Sequence, residues 1–385
     1  MLSGDPLRVC FISPLGYGLY NPTSGYPFGG AEVQFFLLAR ALASDPDFQV
    51  IVLTTVRKSP GIEHHGSLTL VKRQGKNRLA HRSLRGYVAA FLDMWRVMGN
   101  ISADVYLHAT AGVEVGAYAL ICRLLRRRFV YVVASTVDLC RPNGQVEGPL
   151  AWLFPWGMRL ADAVVCRSHE QLAWLRDRYG REGVLIRTGH RPAEPVPHEK
   201  TTVLWVGRMH PLKQPELFLD LAERLPKERF VMVIRQDQSH EYLMGALRGR
   251  ASMLPNVTMR EDVPLSEMDG FFAQAKLLVN TSTYEGFPNT FVQAAMQGTP
   301  ILSWKVDPDG VLARHGIGAS AGGSFERLLA STEELCASAT TRAEWGRQAL
   351  AYARQHHDVN KSAEALKVLV RSLAGPPGAS CGRGA

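Results

Sequence analysis

Short apolar segments alternate with amphipathic ones along the chain, in two similar stretches. In the first stretch the apolar segments are RVCFIS, QVIVLTTV, ADVYLHA, RRFVYVVAST and ADAVVCRS. In the second stretch they are TTVLWVGR, RFVMVI, NVTMRE, KLLVN and TPILSW. Segments with helical periodicity lie between them, such as GGAEVQFFLLARALA and PELFLDLAERLP. Because strands that alternate with helices form parallel sheets covered on both faces, the pattern predicts two doubly wound α/β domains in tandem.

The proline-rich segment RPAEPVPHEK separates the two stretches and is typical of a linker. We therefore expect an N-terminal domain over residues 1–190, a linker over 191–200 and a C-terminal domain over 201–355. A C-terminal helix is predicted over 356–373 and could cross back to the first domain. Residues 374–385, rich in Gly and Pro, are expected to form a flexible tail.

The composition is that of an ordinary globular protein, with 46% hydrophobic and 21% charged residues. No apolar run approaches the roughly 20 residues that a membrane-spanning helix needs, and the N-terminus does not resemble a signal peptide. The six cysteines form no CxxC pair, which favours free thiols in a reducing compartment. We therefore expect a cytoplasmic location.

The positive charge is concentrated in the first half of the chain. Residues 1–195 hold 23 Lys and Arg against 15 Asp and Glu, whereas residues 196–385 hold 21 against 20. Eight basic residues and a single acidic one lie between Arg57 and Arg85. Such a cluster attracts phosphate groups, and an anionic membrane surface or a phospholipid-type substrate could supply them. Nucleic acid is disfavoured, because no recognised binding motif or interleaved aromatic residues accompany the charge.

Two basic residues follow the first strand of the second stretch. Ligands of open parallel sheets bind outside the carboxyl ends of the strands, where Arg208 and Lys213 are expected. A new helix from about Pro288 is expected to point its N-terminus at the same place. A guanidinium, an ammonium and a helix N-terminus together suit a diphosphate.

The segment TSTYEGFPNTFVQAAMQGTPIL adds Glu285 to that site, with Gln293 eight residues later. A carboxylate would repel a phosphate unless it faces hydroxyl groups. Gln293, expected two turns into the helix and near the same face, offers donors and an acceptor that suit vicinal hydroxyls such as those of a ribose. Groups that donate hydrogen bonds to phosphate, beside groups that accept them from hydroxyls, indicate a nucleoside-diphosphate sugar.

These residues lie in a recognisable pattern, in VGRMHPLKQPELFLDLAERLP and NTSTYEGFPNTFVQAAMQGTPILSW. The two segments resemble the donor-binding half of retaining glycosyltransferase family 4, whose GT-B fold has two Rossmann-like domains facing each other across a cleft. The hallmark is Glu-x7-Glu, preceded by an Arg and a Lys with the spacing of Arg208 and Lys213. FGGAEVQFFLLARALA resembles the family's N-terminal glycine loop, and the resemblance spans most of residues 7–372.

The resemblance implies a role for each matching residue. Arg208 and Lys213 would hold the donor diphosphate and stabilise the leaving group, in place of a metal, so neither a metal nor a cofactor is expected. Glu285 would contact the hydroxyls of the donor sugar, and the catalytic set would be these three residues. Further donor contacts would come from Gly29, Gly30, Gly286, Phe287, Asn289, Thr290 and Gln293. Transfer with retention of anomeric configuration follows from the family alone.

Two departures from the family pattern concern the donor. Gln293 replaces the second Glu, so ribose binding could persist with altered strength. The family commonly has a His just after the strand FVYVVA, where this chain has STVDLC, which keeps Asp138 but offers no imidazole. His108, at the end of a neighbouring strand, is an alternative contact with the sugar or acceptor. For both His108 and Asp138 a purely structural role is open, Asp138 as a helix cap or turn residue.

Simpler interpretations are open for the other residues. Arg208 could form a salt bridge between domains, Lys213 could be solvated, Glu285 could be an ordinary loop carboxylate and Gln293 could lie on the helix surface. Asp307 and Asp309 lack the spacing of a calcium loop and indicate a turn.

The expected function is therefore sugar transfer from a nucleoside-diphosphate sugar to a saccharide or lipid-linked acceptor, in cell-surface polysaccharide or glycolipid synthesis. The region 57–85 could bring the protein to the inner face of the membrane. A catalytically silent protein that binds a nucleotide sugar or a partner enzyme is the alternative. A dinucleotide oxidoreductase is disfavoured, because GYGLYNPTSG lacks the G-x-G-x-x-G spacing.

Overall fold

The computed structural model describes residues 5–75, 84–141, 146–192, 198–236 and 240–374. The chain divides into two units. The first unit comprises the residues up to Ile186 and those from Asn360 onwards, and the second unit is Arg187–Val359. Each unit contains one sheet with its own buried core.

The sheet of the first unit has the strand order β3-β4-β2-β1-β5-β6-β7-β8, and all its neighbouring strands are parallel except β3 and β4. The strands are β1 (Leu7–Ile12), β2 (Phe48–Val56), β3 (Gly61–His65), β4 (Leu68–Gln74), β5 (Val105–Ala109), β6 (Arg128–Val132), β7 (Ala163–Cys166) and β8 (Val184–Leu185). The helices are α1 (Tyr17–Tyr20), α2 (Gly30–Leu42), α3 (Leu84–Ile101), α4 (Glu114–Leu124), α5 (Val137–Cys140), α6 (Leu153–Leu160) and α7 (His169–Tyr179).

The sheet of the second unit is parallel throughout, with the order β11-β10-β9-β12-β13-β14. Its strands are β9 (Thr202–Arg208), β10 (Arg229–Arg235), β11 (Val257–Glu261), β12 (Ala275–Asn280), β13 (Ile301–Ser303) and β14 (Gly318–Ser320). Its helices are α8 (Pro215–Arg224), α9 (Glu241–Ser252), α10 (Met268–Gln274), α11 (Asn289–Met296), α12 (Val311–Arg314), α13 (Phe325–Ala337) and α14 (Ala339–His356).

The C-terminal helix α15 (Val359–Ala374) belongs to the first unit from Asn360 onwards. Its Lys367 ammonium lies 2.9 Å from an Asp45 carboxylate oxygen, and Arg371 donates to Asp47 at 2.8 Å. The helix begins three residues later than predicted, because α14 continues to His356. Ala374, expected to begin the tail over 374–385, is the last residue of α15, and residues 375–385 lie outside the described residues.

All ten predicted strands are present, so the prediction of two parallel-sheet α/β domains is confirmed. The central strands are long apolar runs because both faces of a parallel sheet are covered. The sequence did not indicate β3, β4, β8 or β14. GIEHH in β3 is largely exposed and polar, and β8 and β14 have only two and three residues. None of the described helices combines the length and apolar character needed to cross a membrane.

Each sheet has one point at which the strand order reverses direction. In the first unit β1 lies between β2 and β5, and in the second β9 lies between β10 and β12. Ligands of open α/β sheets bind at such switch points, outside the carboxyl ends of the strands. These two edges are therefore the expected places for a bound ligand.

Candidate functional site

The switch point of the second unit brings together residues that are distant in sequence. Arg208 is the exposed last residue of β9, and the single 3-10 turn Pro211–Lys213 follows it. Strand β12, the neighbour of β9, ends at Asn280, and the loop to α11 carries Glu285. The sequence prediction that Lys213 and Glu285 share one edge of the sheet matches this arrangement.

Lys213 and Glu285 form an ion pair, in which the Lys213 ammonium donates to Glu285 Oε1. The same oxygen accepts a hydrogen bond of 2.8 Å from the Ser282 hydroxyl. The two charged side chains keep 26% and 16% of their surface exposed. Lys213 is therefore paired with a carboxylate and is not simply solvated. Because the ammonium neutralises the carboxylate, Glu285 does not prevent an anion from binding nearby.

A buried hydroxyl ties the two loops to each other. Thr281 Oγ1 donates to the carbonyl oxygen of Lys213 at 2.5 Å and accepts from the indole nitrogen of Trp205 at 2.8 Å. The backbone amide of Thr283 donates to the carbonyl oxygen of Leu212 at 2.9 Å. These bonds fix the Lys213 turn against the start of the Glu285 loop.

Gly207 makes room for this arrangement. A Cβ atom at this position would lie 2.6 Å from the six-membered ring of Trp205, closer than side-chain atoms approach in real proteins. Any other residue would push the indole away from Thr281. Gly207 and Trp205 were not identified from the sequence, because the bond that they support joins residues 76 positions apart.

Helix α11 begins at Asn289, directly after the Glu285 loop, and Thr290 is its second residue. Gln293 is its fifth residue, so it lies little more than one turn into the helix, and the expectation of two turns was wrong. Gln293 is only 6% exposed, which excludes the interpretation as a surface residue.

Phe287 is held in the core of the second unit. It is 6% exposed and packs on Phe291, with 6.5 Å between ring centroids, and on His357, with 4.5 Å. Gly286 before it is also buried. The Phe287 ring therefore anchors the loop, and a contact of this residue with a donor would have to come from its backbone.

The predicted glycine loop leads into α2, which lies between β1 and β2 in the chain. Gly29 precedes α2 and Gly30 begins it, and the amide of Gly29 donates to Glu32 Oε2 at 2.9 Å. Gly29 has φ −116° and ψ −173°, an extended conformation open to any residue. Their close approach to a diphosphate stays a prediction.

His108 is buried, with 1% of its surface exposed. Its Nδ1 lies 3.1 Å from the carbonyl oxygen of Ile12, so Nδ1 carries the proton and donates. Its Nε2 lies 3.9 Å from Glu114 Oε1. Burial raises the pKa of the Glu114 carboxyl, but the neighbouring His108 ring outweighs this effect and leaves that pKa below its ordinary value. His108 thus joins β5 to the end of β1.

Asp138 is 6% exposed, and its Oδ2 accepts three hydrogen bonds. The donors are the amides of Ala134 and Ser135, both at 3.1 Å, and the Tyr131 hydroxyl at 3.2 Å. Burial raises the pKa of Asp138 to about 6, although these hydrogen bonds oppose the rise. The contacts match the structural alternative, a carboxylate that closes the turn after β6.

The described part of the basic region 57–85 is partly neutralised. Lys72 lies 2.5 Å from a Glu63 oxygen, and Arg73 forms an ion pair with Asp93, also at 2.5 Å. Arg57 and Lys58 are exposed, and residues 76–83 lie outside the described residues. Across the described ranges, no three His, Cys, Asp or Glu side chains form a group that could hold a metal ion.

Comparisons with known proteins agree with this arrangement. The family model Glycosyltransferase Family 4 matches residues 28–194, and the model Glycosyl transferases group 1 matches residues 200–338. A D-inositol 3-phosphate glycosyltransferase from Streptomyces bingchenggensis (strain BCW-1) is 23% identical over 358 residues, which are 81% of this chain and 77% of the relative.

Solved structures show the same fold. A sucrose-phosphate synthase from Thermosynechococcus elongatus superposes with a TM-score of 0.76 at 17% identity, covering 95% of this chain and 99% of the other. Anabaena HepE, in complex with UDP and glucose, gives 0.70 at 16% identity, covering 95% and 100%. WaaG, a glycosyltransferase involved in lipopolysaccharide biosynthesis, gives 0.67 at 15% identity, covering 94% and 99%.

Proposed function

Because the chain belongs to glycosyltransferase family 4 and has the GT-B fold, we propose that it transfers a sugar from a nucleoside-diphosphate sugar to a saccharide or lipid-linked acceptor. The observation that carries the proposal is the Lys213–Glu285 ion pair, which lies at the β9–β12 switch point after Arg208. The Lys213 ammonium can donate hydrogen bonds to phosphate oxygens, and the Glu285 carboxylate can accept them from sugar hydroxyls. A nucleotide sugar requires both kinds of contact in one place.

In the proposed reaction the Arg208 guanidinium binds the diphosphate through two parallel hydrogen bonds. Lys213 shares its ammonium between Glu285 and the phosphate oxygen that gains charge as the sugar leaves. Glu285 accepts hydrogen bonds from the sugar hydroxyls. Because the two cations supply the positive charge, we propose that no metal takes part, and turnover that persists in EDTA would support this. Retention of anomeric configuration is proposed from the family alone.

For the acceptor, a phosphate-bearing saccharide or a lipid-linked one fits the charge of the first half of the chain. The names of two of the similar proteins, D-inositol 3-phosphate glycosyltransferase and sucrose-phosphate synthase, support a phosphate-bearing molecule. A role in cell-surface polysaccharide or glycolipid synthesis, in the cytoplasm, is proposed on the same basis. WaaG offers a precedent of that kind.

We also propose that the protein contacts an anionic membrane surface. Helix α3 leaves Val88 and Leu92 half exposed, close in sequence to the basic region 57–85. An apolar face beside basic residues suits the headgroup region of an anionic bilayer. Sedimentation with phosphatidylglycerol vesicles at low salt tests it, and equal binding to neutral vesicles would count against it.

Thermal unfolding against a panel of nucleoside diphosphates and their sugars tests the main proposal. A ligand at about 100 times its Kd adds roughly 2.7 kcal/mol of stability, a shift of a few degrees. We expect a shift with one nucleotide that Arg208→Ala removes and that Arg224→Ala, an exposed arginine in the last turn of α8, retains.

The same preparation separates the enzyme from the silent alternative. Release of free nucleoside diphosphate from the sugar that gives the shift, with acceptor or with water, supports transfer. Binding without any release over long incubation, for every sugar that binds, would favour the catalytically silent protein. No shift with any member of the panel would contradict both.

A further inference from the structure

The loop that carries Glu285 is anchored at both of its ends. At its start, Thr281 and Thr283 bond to the turn of Lys213. At its end, two residues after Glu285, Phe287 is buried in the core of the second unit. The position of the Glu285 carboxylate therefore depends on what holds Phe287.

Phe287 is held by two buried residues from opposite ends of the unit. The Thr188 hydroxyl donates to the carbonyl oxygen of Phe287 at 3.2 Å. The imidazole of His357 lies against the Phe287 ring, with 4.5 Å between centroids. Thr188 is 1% exposed and His357 is fully buried, so neither contact competes with water.

These two residues are also bonded to each other. His357 Nδ1 lies 2.6 Å from the Thr188 carbonyl oxygen, which can only accept, so Nδ1 carries the proton. His357 Nε2 is then an acceptor, and the Tyr352 hydroxyl donates to it at 3.2 Å. Burial lowers the pKa of His357 to about 3, which keeps the ring neutral and this pattern fixed at neutral pH.

Thr188 and His357 stand where the chain enters and leaves the second unit, whose bounds are Arg187 and Val359. The two segments pair there: the His190 amide donates to the His357 carbonyl at 2.8 Å, and the Val359 amide donates to the His190 carbonyl at 2.9 Å. The Glu285 loop is thus anchored on the paired segments by which the chain enters and leaves the second unit.

We infer that Thr188 and His357 are positioning residues, which set the Glu285 loop from the paired entry and exit segments of the second unit. The inference rests on the proposed function, in which Glu285 acts on the donor sugar. Since coupling between two places is reciprocal, a ligand that orders the Glu285 loop must also stabilise these entry and exit segments. Neither residue needs to touch the substrate.

The chain offers matched variants for a test. Thr188→Val removes the hydroxyl with almost no change of shape, and Thr188→Ser restores it. Thr332→Val is the control, because Thr332 is fully buried in the same unit and its hydroxyl likewise donates to a backbone carbonyl, that of Leu328 at 2.7 Å. Both valine variants lose one buried hydrogen bond.

Kinetics and binding give the first measurement. We expect Thr188→Val to lower kcat about tenfold while the Kd of the nucleoside diphosphate found in the panel stays within twofold, because Arg208 and Lys213 bind the diphosphate. Thr188→Ser should recover most of the turnover, and Thr332→Val should keep all of it. If the two valine variants lose turnover equally, or Thr188→Val loses none, the inference is wrong while the proposed function stands.

Hydrogen exchange gives a second measurement that does not require activity. Without ligand, Thr188→Val should raise the exchange of residues 281–296 above that of wild type and of Thr332→Val. In wild type, the nucleotide sugar found in the panel, whose sugar hydroxyls contact Glu285 in the proposed function, should slow exchange at residues 187–192 and 357–359. Unchanged exchange of residues 281–296 in Thr188→Val would overturn the inference even if no substrate were ever found, whereas a wild type that binds no nucleotide would count against the proposed function alone.

Discussion

Both sheets place polar side chains at or near the carboxyl ends of their strands, but the environments of these side chains differ. In the second unit Lys213 and Glu285 form an ion pair and keep 26% and 16% of their side-chain surface exposed. In the first unit His108 and Asp138 are 1% and 6% exposed and bond mainly to backbone groups. A paired and partly exposed charge can exchange its partner for a ligand, whereas a buried one that closes a turn cannot do so without loss of structure. The difference places the proposed chemistry on the second unit.

The largest expected effect tests the second unit. Glu285→Gln keeps the shape and the bond from Ser282 but removes the charge, so we expect kcat to fall about 10³-fold, roughly 4 kcal/mol of transition-state free energy. The unfolding midpoint should change little, since a partly exposed ion pair contributes little to stability.

Glu228→Gln is the matched control for this variant. Glu228 pairs with Lys276 at 2.6 Å in the same unit, and the two side chains are 23% and 20% exposed. Glu228 precedes the first residue of β10, at the amino edge of the sheet away from the switch point. Equal losses of turnover in both variants would mean that the charge at Glu285 has no special role.

The next effect tests the first unit through the pH dependence of its stability. The pKa of Asp138 is about 6 in the folded protein and about 3.9 when unfolded, so the folded state binds more protons between these values. Protonated Asp138 therefore adds to the free energy of unfolding below pH 4. Up to about 3 kcal/mol of this free energy is lost as pH rises through 6. Relative to Asp138→Asn, the wild type should lose this amount between pH 4 and pH 7.

Hydrogen exchange of the β6 peptide measures this difference within the first unit, because wild type and variant are compared at the same pH. Asp177→Asn, an exposed position on α7, should show no such trend. A large loss of turnover in Asp138→Asn without any change in exchange would break the comparison, because it would make Asp138 a site residue.

The same comparison explains how much of the fold and of the candidate site could be predicted from the sequence. The strands were predictable because parallel sheets require continuous apolar runs, and the Arg208, Lys213 and Glu285 positions followed from the ends of those runs. The bonds that fix the site were not predictable. Thr281 and Trp205 are 76 residues apart, and His357 and Thr188 are 169 apart, so no local pattern records them. Burial likewise decided the contacts of Asp138, whose sequence context allowed both a structural role and a contact with the sugar or acceptor.

The smallest expected effect concerns Gln293, where this chain differs from its family. If the buried Gln293 bonds to ribose hydroxyls, Gln293→Glu should strengthen those bonds, because a charged acceptor adds roughly 1 kcal/mol. Burial of the new charge opposes the gain, so we expect calorimetry to give a Kd for the nucleoside diphosphate about threefold tighter. Gln297→Glu is the control, since Gln297 is also buried and lies four residues further along the chain. Unchanged or weaker binding in Gln293→Glu would show that residue 293 supports the helix and not the nucleotide, and the second unit would then recognise its donor through Arg208, Lys213 and Glu285.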